Sequence, residues 1–225
     1  MANRAFRSRR GLVGGLALLV ATGLGLAGLS GCGAPSYTYV ADSAAKTYYK
    51  VPNSWHPISK DKMNAALAAA GGSGQGIWLT AFDGTKAPAA DHFLSFQVAK
   101  PFAFSEIGQL NTDASNSLSY NSLRDFMLPV TATQRQSVSA SGSFPLTDFK
   151  LLRDNTVTGK NGVHGVRETF QYTYQGVSDT WDEEALTNAN QDTVYFLIVH
   201  CTESCYSQNQ ADINTVMSSF TVGSS

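Results

Sequence analysis

The sequence predicts an α+β domain behind an export signal, and three observations carry that reading. Stretches of period-two or continuous apolar character follow one another with few helices between them, the order expected of α+β rather than alternating α/β chains. Three other stretches space their apolar residues for one face of a helix. The first 31 residues hold Arg4, Arg7, Arg9 and Arg10 and no acid, and an apolar run from Gly11 to Leu29 follows the arginines. A basic start, an apolar middle and small residues at the end are the parts of a secretory signal.

Along the remaining chain, residues 33–45 are small and polar with one proline and read as a tether. Thr47 to Val51 reads as a strand stopped by Pro52, with a turn through Asn53, Ser54 and Trp55. Ser59 then stands where an N-cap belongs. Met63, Ala66, Leu67 and Ala70 make a helical stripe ended by Gly71 and Gly72. Ile77 to Phe82 reads as a strand. Phe93 to Val98 alternates as a half-buried strand would, and Pro101 to Ile107 adds an extended piece. A helix is expected from Ser115 to Leu128, where Pro129 stops it. Thr131 to Pro145 has no clear period and reads as a long loop or irregular edge strand.

Phe149 to Val157 reads as a strand, and Asn161-Gly162 is the strongest hairpin signal in the chain. From Val163 to Tyr174, Val166, Phe170, Tyr172 and Tyr174 alternate with Arg167, Thr169, Gln171 and Thr173, which marks a strand with one wet face. Asp179 to Asn190 reads as an acidic connection around Trp181. Thr193 to Cys201 is nearly all apolar and is expected at the centre of the sheet. The last helix is expected from Asn209 to Phe220, with Ile213, Val216, Met217 and Phe220 on one stripe.

Leu29-Ser30-Gly31-Cys32 closes the apolar run and resembles the lipobox of bacterial lipoproteins. The resemblance implies cleavage before Cys32, a diacylglyceryl thioether on its sulfur and further acylation of the new amino group. Two or more acyl chains hold a protein stably, whereas one holds it marginally. A retained transmembrane helix is the competing reading, weakened by the many glycines of the run. Ser8-Arg9-Arg10-Gly11-Leu12-Val13 also resembles the twin-arginine export motif. The expected organisation is a signal at 1–31, a tether at 32–45 and one domain at 46–225, on the extracytoplasmic face of the bacterial membrane.

Lipidation of Cys32 leaves Cys201 and Cys205 as an even pair, which an oxidising compartment would close as a disulfide. A zinc site built from His200, Cys201, Glu203 and Cys205 competes with it. Adjacent residues of a strand point to opposite faces, which opposes that set. Of 16 basic residues four lie in the signal, so the part from Cys32 onward has 12 against 17 acids. That balance argues against nucleic acid and against adhesion to anionic lipid by charge.

Tyr48-Tyr49-Lys50-Val51-Pro52-Asn53-Ser54-Trp55 resembles the opening of PsbP-like domains. The close of the chain is similar to theirs: an apolar strand, a cysteine-containing loop and Ile213-Asn214-Thr215-Val216-Met217-Ser218-Ser219-Phe220. That family includes a photosystem II extrinsic subunit, a Ran-binding release factor and bacterial lipoproteins of the LpqN group. The resemblance implies a curved antiparallel sheet backed by helices and no reaction.

Catalytic patterns are thin. Ser-x-x-Lys occurs as Ser43 to Lys46 and Ser59 to Lys62, with Ser119-Tyr120-Asn121 as a conceivable partner, but no Lys-Thr-Gly completes the set. The histidines, His56, His92, His164 and His200, are scattered. Asp182-Glu183-Glu184 reads as a solvated acidic turn, with a weak cation site as the alternative. Trp181 beside it reads either as a core plug or as a contact surface. No cofactor or metal set is expected. The functional expectation is a non-catalytic binding or accessory lipoprotein, with an envelope hydrolase of unrecognised site as the alternative.

Overall fold

The structure, a computed structural model, describes residues 36–71 and 77–223. Its elements run β1 (Tyr37–Asp42), β2 (Thr47–Pro52), β3 (His56–Ile58), α1 (Lys60–Ala69), β4 (Trp78–Asp83) and, after a 3-10 turn at Ala90–Leu94, β5 (Phe102–Gln109). Three short helices follow: α2 (Thr112–Ser117), α3 (Tyr120–Arg124) and α4 (Ala132–Ala140). Then come β6 (Thr147–Thr158), β7 (His164–Tyr174), β8 (Val177–Thr187), β9 (Thr193–Thr202), α5 (Glu203–Ser218) and β10 (Thr221–Val222).

Seven strands make one antiparallel sheet in the order β3-β4-β5-β9-β8-β7-β6. The expected α+β architecture, an antiparallel sheet backed by helices, is therefore present. β9 lies in the middle, as its apolar run predicts, and buries both faces. Val194, Phe196 and Ile198 join a core with Met63, Phe93, Phe104, Leu123, Phe170 and Trp181. Leu197, Val199 and Cys201 join the opposite core with Tyr49, Val51, Ile213, Val216 and Met217. The second face is covered by α5 and by a small sheet in the order β1-β2-β10.

Several segments differ from their sequence reading. Residues 37–42 are not tether: β1 pairs with β2 from Tyr37 opposite Pro52 to Asp42 opposite Thr47, and Val40 is buried. The packed fold therefore includes residues 37–42, which the expected boundary at 46 leaves in the tether. Residues 93–98 are not a strand. Phe93 turns in to stack on Phe104, and the fully buried Asp83 ties the loop by accepting from the amides of Thr85 and Ala89 and meeting His92 Nδ1 at 2.7 Å. The helix expected over 115–128 breaks at Ser119, which starts α3 through a capping box with Ser122. Residues 132–140, expected as loop or strand, form α4, capped by Thr131. The terminal helix starts at Glu203 rather than Asn209, because Thr202 caps it by accepting from the Cys205 amide.

The largest difference is at Asp179 to Asn190. Residues 177–187 are strand β8, not a connection. The turn before it is Gln175-Gly176, with φ of 50° and 81°. Both central residues of a two-residue hairpin turn then have positive φ, the geometry whose twist matches paired strands.

Candidate functional site

Alternation along β8 sends its acidic residues to opposite faces. Asp182 and Glu184 lie on the face covered by α5, whereas Glu183 lies on the other, opposite Glu168 of β7. The three cannot share a cation, so the site considered from the sequence is ruled out by the pleat itself. Trp181 is 3% exposed and stacks on His200 at 4.0 Å, 8° from parallel. Of its two readings the core plug is correct. His200 in turn meets Asp179 through Nδ1 at 3.2 Å, with both side chains fully buried.

Cys201 and Cys205 form a disulfide, with Cα atoms 5.9 Å apart, joining the end of β9 to the first turn of α5. Both sulfurs are thereby used, and the zinc reading falls. Cys32, the lipidation candidate, lies outside the described residues. Ser59 occupies the N-cap position of α1, but its side chain makes no capping bond. Ser119 accepts from the Ser122 amide and so acts as a cap.

A small recess of about 170 Å³ gathers Ser119, Tyr120, His164 and Gln191, residue types a hydrolase would use. Their bonds point elsewhere. His164 Nδ1 meets the Gly162 carbonyl at 2.8 Å, its Nε2 faces Gln191 Nε2, and the Ser119 hydroxyl meets that of Ser122. Among the described residues no histidine ring is hydrogen-bonded to a hydroxyl or thiol.

The strongest candidate is a groove of about 420 Å³ where the β6–β7 hairpin leans toward β10. Val157, Val163, Leu186, Phe220 and Val222 supply its apolar walls, Tyr48 and Lys160 its rim, and Glu184 its buried acid. Cross-strand register explains the concavity. Gly165 lies between Val157 and Leu186, and a Cβ there would meet the Ala185 carbonyl oxygen at 2.0 Å. Burial pushes Glu184 up to about 7, against the pull of Arg167, whose Nε lies 4.0 Å from its carboxylate.

Beyond Glu184 a charged network continues along the same face. Asp182, fully buried, accepts from Arg153 at 2.9 Å, from Arg167 at 3.3 Å and from the Tyr206 hydroxyl at 2.9 Å. Paired in this way, a buried carboxylate can stay charged. The network fixes the acid side of the groove to β6, β7 and α5. This arrangement can hold an apolar group beside a cation. The groove and its network were missed from sequence, since they depend on pairs 15 to 29 residues apart.

Cyanobacterial PsbP (CyanoP) from Synechocystis sp. PCC 6803 matches with a TM-score of 0.51 and 14% identity, covering 88% of this chain and 99% of that one. The fold is PsbP-like. Two other solved structures match more weakly. A Pseudomonas aeruginosa protein of unknown function, PA94, has a TM-score of 0.41, 13% identity and coverage of 85% and 100%. The Saccharomyces cerevisiae Ran-binding protein Mog1p has 0.43, 7%, 83% and 95%. No protein-family model and no curated protein matches the chain. At 14% identity the likeness to CyanoP shows the fold alone and leaves function to the site.

Proposed function

We propose that the protein is a lipid-anchored accessory module of the cell envelope that binds a protein partner in the groove over Glu184. The groove carries this reading: apolar walls meet a buried acid held by an arginine network. Such a site suits an apolar side chain next to a lysine or arginine of the partner. The lipobox-like Leu29-Ser30-Gly31-Cys32 supports the anchor on Cys32 and placement outside the cytoplasmic membrane. The envelope-hydrolase alternative would draw on the Ser119 and His164 recess, whose hydrogen bonds run to Ser122 and to the Gly162 carbonyl instead.

A photo-crosslinking residue placed at Val157 or Val222 tests the binding face, with Leu94, exposed on the 3-10 turn whose Phe93 packs into the opposite core, as control. The expected result is a discrete adduct from the groove positions, lost when Val157→Arg is combined with the Val222 probe. Adducts of equal yield from Leu94 would reject the groove. Cys32→Ser tests the anchor separately: the protein should move from the membrane to the soluble fraction.

A further inference from the structure

The small sheet has an outer face that none of the described residues covers. Val40, Tyr49 and Val51 point inward to the core. Tyr37, Tyr39 and Tyr48 alternate outward, with Tyr39 77% and Tyr48 49% exposed. Lys50 lies among them, opposite Tyr39, with Nζ 4.9 Å from the centre of the Tyr37 ring. Surface tyrosines grouped around a lysine, with a polar hydroxyl on an apolar ring, suit a boundary between hydrocarbon and water.

The length of chain before this face decides what covers it. The Asn53 amide donates to the Ser36 carbonyl at 3.1 Å, so the chain is held to the domain from Ser36 onward. Only residues 33–35 separate Ser36 from Cys32. Four residue steps reach at most about 14 Å. The headgroup layer on one side of a bilayer is about 5–8 Å deep. A lipid on Cys32 therefore holds the start of β1 at or just above the headgroups, and the tyrosine face begins at the next residue.

We propose that the Tyr37, Tyr39 and Tyr48 face of the β1-β2-β10 sheet lies on the phospholipid surface and seats its rings in the headgroup layer. The inference rests on the lipid anchor proposed for Cys32. With 12 basic against 17 acidic residues from Cys32 onward, the contact is aromatic rather than a general attraction to anionic lipid. Tyr48 also rims the groove over Glu184, so the groove opens beside the membrane.

The test uses the full-length protein, purified from membranes and reconstituted in vesicles of phosphatidylcholine brominated on its acyl chains. Tyr39→Trp is compared with Leu94→Trp, each in the background of the native tryptophans. The Tyr39→Trp protein should be quenched about twofold or more beyond the Leu94→Trp protein, as expected for a ring 5–10 Å into the interface, and equally with or without added phosphatidylglycerol. The mass of the N-terminal peptide is measured on the same samples. Lipid on Cys32 with equal quenching of the two variants overturns the seating and leaves the anchor standing. An unmodified Cys32 overturns both.

Discussion

Trp181 and Glu183 stand two residues apart on β8 and are buried on the same face of the sheet. Trp181 packs between His200 and Phe96. Trp181→Ala should lower stability by about 3–5 kcal/mol, the usual cost of removing a buried indole, read as the midpoint of denaturant unfolding. A contact-surface role would instead leave that midpoint unchanged. Glu183 and Glu168 face each other across β7 and β8, fully buried, and none of their four carboxyl oxygens has a hydrogen-bond partner. Burial, with Asp154 and Asp125 nearby, pushes Glu168 up to about 8 against the pull of Arg124. Burial and then Glu168 raise Glu183 well above its ordinary value of 4.5. A raised carboxyl binds its proton more tightly in the folded chain, so its contribution to stability is complete below about pH 4.5. It declines as pH rises, and for Glu168 it is gone above about pH 8. Glu183→Gln, which fixes a neutral group, should therefore flatten the decline, and its advantage over the parent should grow between pH 5 and 9 in thermal melts. None of this was legible in sequence. Three consecutive acids read as a wet turn, because their neutralisation comes from strands that pair only after folding.

Strands of strong apolar or alternating pattern were legible: β7, β9 and most of β6 fall where the pattern placed them. So did the Asn161-Gly162 turn, with φ of 53° and 80°. β8 was hidden because Gln175 stands where asparagine would have announced the same turn. β1 was hidden by composition, although Tyr37-Thr38-Tyr39-Val40 is built of strand formers. The β7–β8 pair depends on Gly165, where a methyl would also meet Leu186 Cα at 2.8 Å. Gly165→Ala should cost about 1–3 kcal/mol, as overpacking does, and should loosen the groove wall at Leu186, seen as faster amide exchange along β8. The disulfide links β9 to α5 across a separation of four residues. So short a loop restrains little of the unfolded chain, so reduction should cost about 2 kcal/mol and leave the fold intact by circular dichroism.

At the scale of the whole molecule, one sheet is covered on both faces, and the second cover contains both ends of the described chain. β2 lies between β1 and β10, so the first and last strands close the same layer over α5. The PsbP-like resemblance read from the two ends of the sequence corresponds to these meeting parts: Tyr49 stacks edge-on against Phe220, and the Lys50 amide donates to the Ser219 hydroxyl. The strand missed from sequence is thus part of the closure and not an appendage. Two truncations separate these descriptions. A chain beginning at Pro35 keeps every pair of β1 and should unfold at the midpoint of the mature protein. A chain beginning at Ala44 loses all six β1 pairs and the burial of Val40. Exposing one valine slot alone costs about 1.5–3 kcal/mol, so the midpoint should drop by at least that much. If residues 37–42 were a tether, both truncations would unfold alike. Equal midpoints would return the domain boundary to residue 46 and lengthen the reach from Cys32 to the fold.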